Sequence, residues 1–117
     1  MQQPISYQLR IEVDQLLRIP VGRLGLIELP AGRYVYTGSA KRALESRVAR
    51  HLHGAATLRW HIDHLLRAPG VRVTMVSRSI RPECELQQAT LGRVIAPGFG
   101  SSDCRAGCGS HLKYLGK

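Results

Sequence analysis

The sequence has few residues of several kinds, and each shortage excludes a class of protein. No apolar run in its 117 residues approaches the ~20 that a membrane-spanning helix needs. The first residues, Met1 to Pro4, lack a basic stretch followed by an apolar one, so we expect no secretion signal. Three cysteines, an odd number, do not predict a disulfide framework. We therefore expect no membrane segment and a location in the reducing cytoplasm.

Acidic residues are scarce as well. Eight Asp and Glu face 17 Lys and Arg, which gives a net charge of +9. Fourteen of the cations are Arg, whose planar, two-pronged donor group matches phosphate better than Lys does. A polyanion is therefore the expected partner, with nucleic acid first; a basic surface that serves only solubility is the alternative. Aromatic residues make up only 5%, which favours contacts to the nucleic-acid backbone over base stacking.

Apolar periodicity and turn residues predict one domain, residues 1–117, of class α+β: a small, mainly antiparallel sheet flanked by helices. Strands are expected at residues 5–13, Leu24 to Leu29, Arg33 to Thr37, Val71 to Ser79 and His111 to Leu115. Helices are expected at residues 40–53, at 57–67 and from Pro82 to about Val94. Residues 14–21 and 96–102 are expected to be connections.

The same patterns predict which side chains face the core. Along the first strand, alternation places five apolar residues on one face: Ile5, Tyr7, Leu9, Ile11 and Val13. In the fourth strand, Val71, Val73 and Met75 point one way, and Arg72, Thr74 and Val76 point the other way. Ser39 is the expected N-cap of the first helix, whose buried stripe is Leu44, Val48 and Leu52. The second helix is expected to bury Ile62, Leu65 and Leu66.

One group of residues could carry chemistry. The run from Tyr36 to Gly38 ends a strand directly before the helix that bears Arg47, Arg50 and His51. Arg47 and His51 are four residues apart and share a helix face, which we expect to lie roughly opposite the apolar stripe. A phenol, a guanidinium and an imidazole together could serve phosphodiester cleavage by proton transfer and charge stabilisation. A solvated Arg-rich helix face is the alternative.

Several separated motifs resemble one family. They are Tyr34-Val35-Tyr36-Thr37-Gly38-Ser39-Ala40, Arg47, Arg50-His51, Arg59-Trp60-His61-Ile62-Asp63, Glu83-Cys84, Gly98-Phe99-Gly100-Ser101-Ser102-Asp103-Cys104 and Ser110-His111-Leu112. In this order, from about residue 7 to 114, the chain resembles the GIY-YIG nuclease superfamily. Within it, the chain is similar to a small branch that occurs alone or fused to an endonuclease III domain.

The resemblance implies a metal-dependent endonuclease that hydrolyses DNA, in repair or in processing of structured DNA. Tyr7 would supply the tyrosine of the first motif, and Tyr36 would supply that of the second. Arg47 matches the helical arginine, and His51 falls where several members carry His or Tyr. Glu83 matches the glutamate that holds one divalent ion, Mg²⁺ with Mn²⁺ as the alternative, and a tyrosine hydroxyl, Tyr7 first, would help to activate water.

Other residues are expected to bind substrate. Gly38 belongs to the second motif, and Lys41, Arg42 and Arg50 would anchor backbone phosphates. His61 and Asp63 would line the cleft. Two departures from the family stand out: Ile5 replaces the first-motif glycine, and the chain contains no Asn to match the one after the glutamate helix. Ser101, Ser102 or Asp103 could replace that Asn, and the backbone N–H groups of residues 98–102 could cradle a phosphate.

Each assignment has a structural alternative. Tyr7 and Tyr36 could simply pack on the sheet, and Glu83 could stabilise a helix N-terminus. Asp63 could bridge two arginines of its own helix, Arg59 and Arg67. Cys104, Cys108 and His111 could bind zinc, with Cys84 or His61 as a fourth ligand. The altered first motif and the missing Asn favour a second function, a nucleic-acid-binding module on the same fold without catalysis.

Overall fold

The computed structural model describes residues 3–40, 42–54, 57–58, 60–100 and 109–117. Its strands are β1 (Ser6–Val13), β2 (Leu17–Pro20), β3 (Leu26–Leu29), β4 (Gly32–Ser39), β5 (Val71–Ser79) and β6 (Leu112–Gly116). Its helices are α1 (Leu44–His53), α2 (His61–Arg67) and α3 (Glu83–Ala89), with a 3₁₀ turn at Gly22–Leu24.

Four strands form the main sheet in the order β5-β1-β4-β6, and each neighbouring pair is antiparallel. Strand β1 is central, since every one of its residues pairs with both β4 and β5. Strands β2 and β3 form a separate antiparallel pair. The predicted class, α+β with a small antiparallel sheet and helices, is confirmed.

The core lies on one face of this sheet. Four of the five residues predicted for the buried face of β1, Tyr7, Leu9, Ile11 and Val13, are buried, whereas Ile5 precedes the strand and is half-buried. Strand β4 adds Tyr34 and Tyr36 to this core, and α2 adds Ile62 and Leu65. Helix α3 contacts β1 and β4. Beside it the outward-facing Gln8 of β1 donates from Nε2 to the Thr90 hydroxyl at 2.7 Å.

Two short strands were incompletely predicted. Strand β2 lies inside the segment 14–21 that was expected to be a connection, and β3 begins at Leu26 rather than Leu24. The reason is that Gly22–Leu24 form the 3₁₀ turn of a hairpin whose Val21 donates to the Gly25 carbonyl at 2.9 Å. The four-residue strands are too short to show a clear period in the sequence.

Strand β5 has the predicted bounds, but its predicted face is wrong beyond Val73. The register with β1 shifts between Arg10 and Ile11, so Thr74 is an extra residue opposite them. Such a bulge moves the following side chains to the other face. Met75, expected to share a face with Val73, is therefore 59% exposed, and Val76 packs against the core instead.

Helix α1 begins later than predicted. Ser39 is not its N-cap, because β4 continues through Ser39 and the helix starts at Leu44 after Ala43. The predicted buried stripe is also wrong in one position: Leu52 is 53% exposed, whereas His51 is 5% exposed. At 100° per residue, position 51 lies closer than 52 to the direction shared by Leu44 and Val48. His51 therefore faces the core rather than the side opposite the apolar stripe.

The other two helices are shorter than predicted. Helix α2 begins at His61 rather than at 57, and buries Ile62 and Leu65 as expected, with Leu66 partly buried. Helix α3 ends at Ala89, well before Val94. It stops there because Arg93 pairs its backbone with Tyr114, extending the edge of the sheet beyond β6.

Candidate functional site

The candidate site lies where β1 begins and β4 ends, beside α1 and the first turn of α3. Tyr7 of β1 and Gly38 of β4 are partners in the sheet register. A Cβ atom at position 38 would lie 2.5 Å from both Cζ and the hydroxyl oxygen of Tyr7. Glycine is therefore required here, because only a residue without a side chain lets the phenol lie across the neighbouring strand.

Tyr7 and His51 form the centre of the site. The Tyr7 hydroxyl and His51 Nε2 are 2.7 Å apart, and both residues are buried. Their rings have centroids 5.5 Å apart, and Tyr36 lies 6.4 Å from the Tyr7 ring and 6.3 Å from the His51 ring. The structure thus brings together three of the side chains predicted to be catalytic.

Both members of the Tyr7–His51 pair are held neutral. Burial, together with the positive charges of Arg50 and Arg47, lowers the pKa of His51 to about 4, although Asp63 opposes this. Burial raises the pKa of Tyr7 well above its usual range, against the effect of Arg47. At neutral pH the pair is therefore a phenol and an uncharged imidazole, in which one group donates a hydrogen bond to the other.

Tyr36 lies deeper than Tyr7. Burial raises the pKa of its hydroxyl, and the negative charge of Glu83 and the neighbouring Tyr7 act in the same direction. Its ring packs edge-on against Phe99, with centroids 6.3 Å apart. Gly100 follows closely, since a Cβ there would lie 3.0 Å from the Tyr36 ring. The segment 98–100 therefore covers this end of the site.

Arg47 is half-buried beside the pair. Its guanidinium donates to the Ser39 carbonyl at the end of β4 and lies 4.7 Å from the centre of the Trp60 ring. It also forms a hydrogen bond to Tyr7 that lowers the pKa of that phenol. A backbone carbonyl and an aromatic face thus fix a permanent positive charge next to the Tyr7 hydroxyl.

Arg50 also contacts Trp60. Its Cζ lies 4.4 Å from the centre of the same ring, so Trp60 contacts both guanidinium groups of α1. Two nitrogens of Arg50 donate to the two Asp63 oxygens at 2.7 and 3.0 Å. The second Asp63 oxygen also accepts from the backbone N–H of Trp60 at 2.8 Å. Asp63 therefore joins α2 to α1, and Arg59, one of its two predicted partners, lies outside the described residues.

Glu83 lies in the first turn of α3, and its carboxylate contacts His111 Nδ1. Burial favours its protonated form, but hydrogen bonds from His111 and Ser39 and the charge of Arg47 outweigh this, so the pKa of Glu83 is lowered. The carboxylate is therefore ionised, and its charge extends to Tyr7 and Tyr36, whose pKa values it raises.

The other residues singled out in the sequence lie in different environments. His61 is half-buried, and its Nδ1 accepts from the Gly100 N–H at 2.8 Å. Arg42 is exposed just before α1. Ile5 continues the sheet through its backbone, since its N–H donates to Ser79 and its carbonyl accepts from Ala40, both at 3.0 Å. The expected substrate-binding residues Lys41, Ser101 and Ser102 lie outside the described residues, as does Asp103.

Two residues at the site were not assigned these roles from the sequence. Ser39 was expected to be a helix cap, yet it supports the Glu83 carboxylate and its carbonyl receives Arg47. Trp60 was named only as part of a motif, and its ring contacts both guanidinium groups of α1. The only sequence signals were the position of Ser39 directly after the Tyr36–Gly38 motif and the presence of Trp60 in the motif from Arg59 to Asp63.

Two possible metal sites can be compared with the geometry. In the ranges that the structure describes, there is no group of three or more His, Cys, Asp and Glu that could hold an ion. Cys84 Sγ lies 3.9 Å from His111 Nε2, but the other proposed zinc ligands, Cys104 and Cys108, lie outside those ranges. Glu83 can supply one carboxylate. A single carboxylate is compatible with Mg²⁺, which takes one or two carboxylates and completes its shell with water and substrate phosphate.

Together these residues define a small α+β domain with a buried tyrosine–histidine pair, two arginines held by one tryptophan and an ionised glutamate. Residues 6–117 match the family described as domain of unknown function DUF123, and the chain belongs to that family. No curated protein matches the chain. No solved structure matches it either. Among the described residues, no helix is long and apolar enough to cross a membrane.

Proposed function

We propose that this protein is a metal-dependent endonuclease of the GIY-YIG type, which hydrolyses phosphodiester bonds in DNA, in repair or in processing of structured DNA. The observation that carries the proposal is the 2.7 Å contact between the Tyr7 hydroxyl and His51 Nε2, with Arg47 and the ionised Glu83 beside it. These four side chains come from β1, α1 and α3, which are far apart in sequence and are brought together at this site.

The charges at the site support hydrolysis of a phosphodiester. Arg47 places a fixed positive charge where a phosphoryl oxygen gains negative charge during the reaction. The neutral His51 can accept the Tyr7 proton while the phenol oxygen takes a proton from an attacking water. Glu83 would hold the divalent ion, Mg²⁺ or Mn²⁺, which when bound neutralises phosphate charge and stabilises the leaving oxygen.

The surface charge of the chain also favours a nucleic acid. The net charge of +9 attracts a nucleic acid whatever its base sequence. Contacts from arginines to phosphates position the nucleic-acid backbone. DNA is the form of nucleic acid that we propose.

One observation favours the second candidate, a nucleic-acid-binding module without catalysis. The raised pKa of Tyr7 and the lowered pKa of His51 both oppose transfer of a proton from the phenol to the imidazole. Without added positive charge at the site, the pair would remain a neutral structural contact. Binding with no cleavage is the behaviour that this alternative predicts.

The test is cleavage of labelled branched, nicked and single-stranded DNA by the purified protein with Mg²⁺, with Mn²⁺ or with a chelator. We expect cleavage only with a divalent ion, and a loss of at least about 100-fold in Glu83→Ala. Glu85→Ala is the matched control, because Glu85 lies two residues further along α3 and pairs with Arg81 at the surface. Its activity should equal that of the wild type.

A second pair of variants tests the tyrosine. Tyr7→Phe should lose cleavage while Tyr34→Phe, which removes a comparable hydroxyl bonded to the Pro30 carbonyl, should retain it. Cleavage that persists in Glu83→Ala would contradict the assigned metal ligand. Binding of all three DNA forms without cleavage under every metal condition would replace the nuclease with the binding module.

A further inference from the structure

A cavity of about 340 Å³ lies between α1 and α2, beside His51. Its wall includes Arg50, His51 and His53 from α1, and Asp63 and Arg67 from α2. The volume is within the range of pockets that bind small ligands. The residues around it contain more positive than negative charge, which sets the kind of ligand it can accept.

The charges in the cavity can be counted. Asp63 is neutralised by Arg50 through the two hydrogen bonds of 2.7 and 3.0 Å. Arg67 is exposed and, within the described ranges, forms no ion pair, so its positive charge is uncompensated. His53 is exposed nearby and adds an imidazole that can bind a further oxygen. An anion is therefore the favoured occupant.

The imidazole of His51 supplies an independent observation. Its Nε2 contacts Tyr7, whereas its Nδ1 is buried and has no hydrogen-bond partner among the residues that the structure describes. A buried nitrogen without a partner costs free energy, so such atoms in folded proteins usually mark a polar ligand or a functional role. The same histidine is one of the residues that line the cavity, so a polar ligand held there would lie close to its ring.

We propose that the cavity between α1 and α2 binds a phosphate group, held by Arg67 and His53 and placed against the His51 ring. The two-pronged guanidinium of Arg67 can donate hydrogen bonds to two phosphate oxygens. A pocket lined by carboxylates or by apolar groups could not donate these hydrogen bonds. The phosphate could belong to a nucleic-acid backbone or be a terminal or free phosphate. Its assignment to the substrate backbone rests on the proposed function, whereas phosphate binding itself does not.

The chain contains a natural reporter for this site. Trp60 is its only tryptophan, and the Arg50 guanidinium lies 4.4 Å from the centre of its ring, so an anion that reaches Arg50 should change its fluorescence. The experiment titrates the intact protein with inorganic phosphate against chloride at equal ionic strength. It contains a chelator and no divalent ion, so that binding is measured without any cleavage.

We expect a saturable change with phosphate that chloride does not produce. Arg67→Gln should weaken phosphate binding about tenfold, because it removes a charge-assisted pair of hydrogen bonds. Arg10→Gln is the matched control: it removes the same charge from an exposed position on the outward face of β1 and should bind as the wild type does. An NMR shift of the His53 ring on adding phosphate would locate the same site directly.

Competition identifies the source of the phosphate. If an oligonucleotide without a terminal phosphate displaces inorganic phosphate, the site holds a backbone phosphate; if only a 5′-phosphorylated one does, the site holds a terminal phosphate. The proposal is overturned if phosphate gives no saturable change, or if Arg67→Gln and Arg10→Gln weaken binding equally. Failure of DNA cleavage with phosphate binding intact would instead count against the nuclease alone.

Discussion

At the scale of single residues, the most unusual group is the histidine in the core. A protein interior accepts a neutral imidazole far more readily than a charged one, and the nearby Arg47 and Arg50 strengthen that preference for His51. Hydrogen bonding of its Nε2 to the Tyr7 hydroxyl satisfies only one side of the ring. His51 should therefore contribute to the pH dependence of the stability of the fold.

We expect the free energy of unfolding to fall as the pH is lowered from about 6.5 to about 4. In this window the unfolded chain binds a proton at position 51, with the usual pKa of 6.5, and the native protein does not, since its pKa is about 4. The full loss is about 3 kcal/mol, complete below pH 4, where both states are protonated. Urea unfolding at a series of pH values measures it.

Two variants isolate the effect of His51 from that of the other titrating groups. His51→Gln cannot titrate, so its curve of stability against pH should be flatter than that of the wild type by about this amount. His53→Gln removes an exposed histidine of the same helix and should leave the slope unchanged. Equal slopes in all three proteins would show that the native His51 titrates normally.

At the scale of the elements, the bulge in β5 decides which apolar side chain reaches the core. Opposite Arg10 and Ile11 the strand carries one extra residue, Thr74, and the side chains after it exchange faces. A pattern of alternating residues cannot reveal an insertion of this kind, because each half of the strand alternates correctly by itself. Only the pairing with β1 shows the change.

A pair of alanine substitutions tests the bulge. Val76→Ala removes methyl groups that pack against the core and should lower the free energy of unfolding by about 1 kcal/mol. Met75→Ala shortens a larger side chain but one that is mostly exposed, and should change stability by less than about 0.5 kcal/mol. Thermal or urea unfolding gives both values; the opposite ranking would mean that β5 alternates without interruption.

The limits of prediction from sequence are visible in the same elements. The period of two in β1 and the bounds of β5 follow from long, regular patterns, and the structure confirms them. The start of α1 and the burial of His51 do not, since both depend on contacts with β1 and β4 that are distant in sequence. The tyrosines, Arg47 and Glu83 were named from motifs, but Ser39 and Trp60 acquire their roles only in three dimensions.

At the scale of the whole molecule, the excess of arginine is the dominant property. A net charge of +9 on 117 residues makes association with a polyanion depend strongly on salt. Part of that charge is used internally: Arg72 pairs with Glu12 and Asp14, and Arg78 pairs with Glu45. Arg42 is exposed and forms no ion pair within the described part of the chain, so its charge is available to a polyanion.

We expect the affinity for duplex DNA to fall as salt rises, with a slope of log K against log salt of about −0.9 for each phosphate contacted. Arg42→Gln should weaken binding for every sequence and reduce the steepness of that slope by about one contact. Arg10→Gln, which removes a charge from the outward face of β1, should leave the slope unchanged. Fluorescence anisotropy at several salt concentrations measures it, and an unaltered slope in Arg42→Gln would exclude this phosphate contact.

The close approach of Gly38 to Tyr7 has a consequence for how this chain can vary. A single added methyl at position 38 would overlap the phenol at 2.5 Å, so the ring would have to move, and moving it breaks its contact with His51. Position 38 therefore cannot be enlarged by itself: a larger residue on β4 is tolerable only with a smaller one at position 7 of β1. Such substitutions at these two positions should therefore occur together in sequences that share this fold.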